Sequence, residues 1–281
     1  MENNNPWFIE GSSKSRLVTV TPNAEEHIAY IARVTSKDQS NPKVSGLLKY
    51  CAKEGHWSVF EQATMSVEVV TPLAISIQAL RHRSFCFQQF SGRYEDQGFM
   101  RNYTEDLPTY QNLFYMPEEA RIQDTKNRQN SFVAEDASLA DFMWDEFEFA
   151  YKAAITAYNN MLDRGIAKEL ARFVLPEGVY TRLYITGSVR SFIHYINVRD
   201  DQGVAQWEHV ELARAVRSVF ATQFPTIYDS LFDAQTGGLL YKDKEHDEEI
   251  AKLQGEISIL HEEINDLKST VAMLQDQLSN Q

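Results

Sequence analysis

The chain has 281 residues, 43% of them hydrophobic and 24% charged, enough to bury a sizeable core in one or two domains and too apolar for a disordered or collagen-like chain. Its 27 Lys and Arg stand against 40 Asp and Glu, a net charge of −13, which excludes gripping a long nucleic-acid backbone by bulk electrostatics and leaves any anionic ligand to a local basic pocket. Cys51 and Cys86 form no CxxC pair, which suits a reducing compartment, and with no signal-like leader and no run near the ~20 apolar residues of a membrane span the chain is expected to be cytoplasmic and without a membrane partner.

In chain order, residues 22–34 read as a helix with Ile28, Ile31 and Ala32 facing inward, and 44–52 as a second helix ended by Gly55. Residues 64–70 alternate as a strand, Met65, Val67 and Val69 on one side. Pro72 opens the next helix, with Leu73, Ile77 and Leu80 as its expected buried stripe and Gln78 and Arg81 on another face. The Asn-rich, aromatic region 103–133 lacks periodicity and reads as an extended loop or insertion. A long helix follows over 138–162, with Phe142, Phe147, Tyr151 and Ile155 on its apolar face, then a short one to Val174 that carries Arg172. Residues 179–185 alternate as a strand, and Ser188 caps a helix that sets Arg190, His194 and Asn197 opposite Val189, Ile193 and Ile196. A last body helix spans about 206–220, before Pro225. The pattern predicts an α+β fold, a helix-rich body with a small, mainly antiparallel sheet.

Residues 241–281 differ in kind. They hold 4 Lys and 10 acids, with no Pro, Cys, Trp or Phe, while Ile250, Ile257, Ile264, Val271 and Leu278 recur every seven residues and Leu253, Leu260, Leu267 and Leu274 follow three places behind the first four. β-Branched residues at four of five a positions and Leu at d favour a parallel two-stranded coiled coil, with Glu256 facing His261 and Glu263 facing Lys268 across the seam. A single amphipathic helix lying on the body is the alternative, but a period of about 3.5 residues kept over four heptads favours the coil. The expected division is therefore a body, 1–240, and a self-associating C-terminal helix, 241–281.

Chemistry concentrates in RHRSFCFQQFSGRY, residues 81–94. From Val69 to Tyr94 there are three arginines and no acid, so positive charge is focused there against the average. Arginine's planar fork suits phosphate, and Ser91-Gly92 offers a hydroxyl and a closely approachable backbone. Composition alone leaves open that these arginines pair with acids at a subunit surface. There is no GxG anywhere, which excludes a Rossmann cradle, and the seven histidines include no HExxH, so no metal site is expected.

Arg81-His82-Arg83, seven residues, then Ser91 resembles the signature of the flavin-dependent thymidylate synthases, and the surrounding chain is similar to that family too. Residues 55–61, GHWSVFE, look like its GHxSxxEH segment with Gln62 in the final place, and ARFVLP at 171–176, YTR at 180–182, NVR at 197–199 and AQWE at 205–208 continue the likeness over roughly residues 16–235. Cys86, Gln88, Ser188 and the Gly203-Val204 pair depart from common family choices.

The resemblance implies reductive methylation of dUMP to dTMP, with the carbon from 5,10-methylenetetrahydrofolate, the hydride from reduced FAD, NADPH reducing the flavin, and a homotetramer with shared active sites. It implies a dUMP site of Gln78, Arg81, Gln89, Ser91, Gly92, Arg93, Arg172 and Arg199, and FAD contacts from Ser58, Arg81, His82, Arg83, Gln89, Ser188, Arg190 and His194. Arg199 matches the residue credited with catalysis, since a cation beside the uracil N3 and carbonyl region stabilises the charge that makes C5 nucleophilic. Cys86, between Phe85 and Phe87, is expected to pack rather than attack, and Ser91 to bind phosphate rather than form a covalent bond. A flavin-dependent uracil methyltransferase acting on RNA, and a non-catalytic nucleotide-binding coiled-coil scaffold, are the rival functions; the first fits an acidic chain without a basic stripe poorly.

Overall fold

A five-stranded antiparallel sheet forms the frame, in a computed structural model that describes residues 5–201, 203, 205–232, 264 and 268. Its strands are β1 (Phe8–Glu10), β2 (Ser13–Val20), β3 (Thr64–Pro72), β4 (Cys86–Gln89) and, after four short strands, β9 (Tyr180–Ser188), in the order β1-β2-β3-β9-β4. The alternation over 64–70 belongs to β3, yet both its faces are buried from Met65 to Pro72, because it lies at the centre of the sheet. The first two strands carry no apolar alternation to announce them. In β2 the polar residues Ser13, Lys14 and Ser15 are buried, Ser13 sharing a 2.8 Å hydrogen bond with Thr71 and Lys14 pairing with Asp106 at 2.5 Å. Glu68 on β3, 1% exposed, sits between Arg16 at 2.8 Å and Arg182 at 2.5 Å, so the sheet joins its strands by ion pairs as well as by apolar packing.

The early helices α1 (Ala24–Ala32) and α2 (Ser45–Lys53) fall where expected, followed by a 3-10 turn, Trp57–Glu61. Helix α3 (Leu73–Ala79) follows Pro72, which ends β3 and stands at the N-cap, but its buried residues are Ile75, Ser76 and Ala79, while Ile77 and Leu80 are exposed by 45% and 38%. The predicted stripe is corrected because Gln78, polar in sequence, turns toward Gln206 and His209 and hydrogen-bonds there, which rotates Ile77 and Leu80 outward.

The region 103–133 is not a featureless loop. It holds two hairpins, β5 (Thr109–Tyr110) with β6 (Phe114–Tyr115) and β7 (Arg121–Gln123) with β8 (Ser131–Val133). The first turns through Gln111 and Asn112, both at positive φ, 53° and 52°, the pair of left-handed residues that a type I′ turn requires; Gln gives no sequence warning of it. Helix α4 (Ser138–Asp163) buries Tyr151, Ile155 and Tyr158, whereas Phe142, expected in the core, is 63% exposed. Its first turns reach beyond the core formed with Met100, Leu113, Phe114 and Tyr180.

After α5 (Lys168–Ala171) and a 3-10 turn through Arg172, β9 leads into α6 (Val189–Arg199), α7 (Trp207–Gln223) and α8 (Pro225–Leu231). Ser188 caps α6 by accepting from the Ser191 amide at 3.2 Å, worth about 1 kcal/mol. Phe192, Ile193, Tyr195 and Ile196 are buried, each contributing on the order of 2 kcal/mol by area, and Arg190, His194 and Asn197 face outward as the spacing predicts. The helix expected to be the last of the body is followed by one more, since Pro225 is the first residue of α8. The heptad coiled coil of 241–281 lies outside the described residues, of which only Ile264 and Lys268, both helical, belong to that segment. Among the described residues no helix is long and apolar enough to cross a membrane.

Candidate active site

The C-terminal end of α6 and the turn after α3 bring Arg199 and His82 together, 117 positions apart in sequence. Arg199 Nε donates to His82 Nε2 at 2.8 Å, so that nitrogen is an acceptor and the imidazole is neutral. The environment enforces this: burial, then the Arg199 charge, then His194 hold the His82 pKa down at about 4. Tyr195 packs edge-on against the His82 ring at 4.9 Å, and His194 lies 6.5 Å away. The helix end itself is fixed by Asp200, whose buried carboxylate takes Arg214 at 3.0 Å and Arg217 from α7. Arg199 thus spends Nε on a neutral partner and keeps the rest of its fork and its charge for a ligand.

Gln78, on α3, borders this pair through α7. Its Nε2 donates to Gln206 Oε1 at 2.6 Å, Gln206 Nε2 donates to Glu208 at 2.8 Å, and His209 Nδ1 lies 3.2 Å from Gln78 Oε1. Glu208 is almost fully buried and also accepts from Tyr115 at 3.2 Å and from Arg121. His209 is wholly buried, and its pKa is held down at about 3 by burial first, then by Arg199 and His82.

A second group lies on the other side of α3. Gln89 Nε2 donates to Ser76 at 3.0 Å and to Thr181 at 3.2 Å, and with Gly92, Gln97, Thr181 and Arg172 it lines a cavity of about 110 Å³. Gly92 has the Arg172 side chain in van der Waals reach of its Cα face. Ser91 forms the turn that follows, accepting from the Arg93 amide at 3.4 Å. Arg93 points outward to Glu169 at 3.2 Å, with both side chains more than half exposed, a pair worth no more than about 1 kcal/mol and open to displacement by a stronger anion.

The outer face of α6 joins a third group to the first. Arg190 pairs with Glu61 at 3.1 Å, on the same exposed 3-10 turn as Ser58, and His194 and Arg199 follow along the helix at about 1.5 Å per residue, so Arg190 and Arg199 lie roughly 14 Å apart. The Ser188 hydroxyl is engaged in the cap and with Ser191 at 3.0 Å. Arg81 and Arg83 are exposed, and with Arg172 they make no salt bridge among the described residues. Apart from the exposed Arg81 and Arg83, the expected site residues therefore fall into three neighbourhoods: Gln78, His82, His194 and Arg199; Gln89, Ser91, Gly92, Arg93 and Arg172; and Ser58, Ser188 and Arg190.

Arginines left without carboxylate partners in a chain of net −13 are the chemistry that a dinucleotide diphosphate needs, and a flavin fits these residues in kind. The cavity of about 110 Å³ beside Arg172, and another of about 220 Å³ at Arg121 and Gln206, are below the ~300 Å³ at which small-molecule pockets begin. This face is an open platform. Cys86 is exposed on the edge strand β4, on the opposite side of the strand from Gln89, while Phe85 is buried, so the expected packing role passes to its neighbour.

Sequence reasoning missed Gln206, Glu208 and His209 as parts of this arrangement. Gln206 and Glu208 stand in the AQWE stretch already noticed, and only the α3–α7 contact shows what they touch. His209 carried no signal beyond being one of seven histidines.

The profile of the Thy1 family, thymidylate synthase complementing protein, matches residues 16–226. A probable flavin-dependent thymidylate synthase of Paramecium bursaria Chlorella virus 1 is 44% identical over 214 residues, 74% of this chain and 90% of the relative. A flavin-dependent thymidylate synthase of Synechocystis sp. is 46% identical over 204 residues, 73% and 87% of the two chains. The crystal structure of a UMP/dUMP methylase, PolB from Streptomyces cacaoi, bound with 5-Br dUMP, superposes with a TM-score of 0.64 at 24% identity over 79% of this chain and 95% of that one, a likeness of fold. With the RHR motif, Ser91 and Arg199 placed as described, the chain belongs to the Thy1 family and is an enzyme of the flavin-dependent thymidylate synthase type.

Proposed function

We propose that this enzyme converts dUMP to dTMP by reductive methylation, with 5,10-methylenetetrahydrofolate as carbon donor, FAD as the flavin and NADPH as the final reductant. The observation that carries the reading is Arg199, a cation fixed at 2.8 Å by the neutral imidazole of His82, whose ring lies 6.2 Å from that of His209, the partner of Gln78. It stands in a chain whose relatives are named for this activity and whose structural neighbour is named for methylating UMP and dUMP.

In this reading the nucleotide phosphate takes Ser91, Gly92, Arg93 and Arg172, displacing Glu169 from its exposed pair with Arg93. Gln78 meets the polar edge of the pyrimidine, and Gln89 meets the sugar side. Arg199 stabilises negative charge on the N3 and carbonyl region, which raises electron density at C5, and being pre-placed it pays no reorganisation at the moment of reaction. FAD, when bound, supplies the hydride that completes the methyl group. Arg81, Arg83 and Arg190 would hold its diphosphate, with Ser58, Ser188, His82 and His194 along the same face.

The open platform calls for a cover. Exposed apolar residues are interleaved with the polar ones: Ile77 and Leu80 beside Gln78 and Arg81, Tyr94 beside Arg93, Phe173 beside Arg172 and Val198 beside Arg199. A second copy laid on this face would bury them and close the site, which supports a homotetramer with shared active sites. The visible spectrum of the purified protein tests the cofactor assignment. Flavin bands that shift on adding dUMP are expected; a colourless protein that fails to take up added FAD would overturn the proposal.

A further inference from the structure

The hydrogen bonds around Gln78 have a direction, and one residue sets it. Glu208, with a side chain 5% exposed, offers only acceptors, so Gln206 must turn its amine toward it, at 2.8 Å. That leaves Gln206 Oε1 to face Gln78, which must answer with its amine at 2.6 Å. Gln78 Oε1 then faces His209 Nδ1 at 3.2 Å, and two acceptors cannot share that contact, so His209 carries its proton on Nδ1. The remaining nitrogen agrees. His209 Nε2 is buried without a partner among the described residues, and an orphaned lone pair there costs less than an orphaned N–H.

We infer that Gln206 and His209 are specificity-determining positioning residues, which lock Gln78 in a single amide orientation so that the site accepts uracil and refuses cytosine. The inference rests on the proposed function, in which Gln78 meets the pyrimidine. A glutamine free to rotate reads both bases, because uracil presents an N3–H beside a carbonyl and cytosine presents the reverse, a bare N3 beside an amine. The locked amide keeps one N–H and one carbonyl lone pair for the ligand in a single fixed sense, which on the proposed function is the sense that uracil needs. To pair with cytosine it would have to flip, setting its carbonyl against the Gln206 carbonyl and its amine against the His209 N–H, two contacts of like with like, the second against a wholly buried ring.

The test is calorimetric binding of dUMP and dCMP to the FAD-loaded enzyme and its variants. Wild type is expected to prefer dUMP. His209→Leu, which removes the donor at similar volume, and Gln206→Met, at a position exposed enough to leave the fold intact, should each reduce that preference by about tenfold or more. His209→Asn, whose amide nitrogen replaces Nδ1, should retain it. A preference unchanged in both His209→Leu and Gln206→Met would overturn the lock while leaving the function standing. A wild-type enzyme that takes up FAD but not dUMP would overturn the functional reading and the lock with it.

Discussion

At the scale of single residues, the account turns on the charge state of His82. A protonated imidazole could not accept from Arg199 and would repel it, so the pair exists only while His82 is neutral. In the folded protein burial and the Arg199 charge place its pKa at about 4, against an ordinary 6.5. Between those values the unfolded chain binds the extra proton and the folded chain does not, so the native state is at full strength above pH 6.5 and loses stability as the pH falls toward 4. Following the His82 ring protons by NMR should show no protonation near 6.5 and a midpoint close to 4; a midpoint at 6.5 would mean that the imidazole is solvated and apart from Arg199. Arg199 could be singled out from sequence by its NVR context, but its partner could not, since residues 117 positions apart share no local pattern.

At the scale of elements, α6 shows how the site is held in register. Its start is fixed by the Ser188 cap and its end by Asp200 between Arg214 and Arg217. Just before the cap, Gly187 lets β9 approach Phe85: a Cβ there would come within 2.4 Å of the Phe85 ring. Phe85 in turn packs on Phe192 at 4.8 Å and faces His82 at 6.4 Å. Gly187→Ala should therefore cost about 1–3 kcal/mol, which thermal unfolding would register as roughly 2–4 °C for each kcal/mol; an unchanged midpoint would show that Phe85 moves freely. A helix with a clean two-sided pattern, such as α6, was legible in the sequence because apolar burial decides it. Strand β2, the outward rotation of Ile77 and the turn at Gln111 and Asn112 were not, because there buried ion pairs, a side-chain hydrogen bond to another helix and left-handed backbone overrule the hydrophobic period.

At the scale of the whole molecule, the open, cationic and partly apolar face is, in the proposed reading, a site that assembly would complete. The heptads of residues 241–281 are expected to add a second association device, since their sequence pattern has no counterpart in the body. Truncation after residue 240 is expected to leave the body assembled and flavin-bound but less tightly held. A truncated chain that sediments as a monomer and has lost FAD would show that the tail, not the platform, makes the oligomer. The site residues named from sequence lie in separate neighbourhoods of one chain, and in the proposed homotetramer their gathering around one ligand would be a property of the assembly that no single-chain pattern records.

The most direct measurement is tritium release from 5-tritiated dUMP, supplied with 5,10-methylenetetrahydrofolate and NADPH and without RNA, by the wild-type enzyme and by Arg199→Ala. The wild type should release tritium and form dTMP, and the variant should do so about a hundredfold more slowly or worse with its FAD still bound. No release by the flavin-loaded wild type, or undiminished release by the variant, would contradict the account.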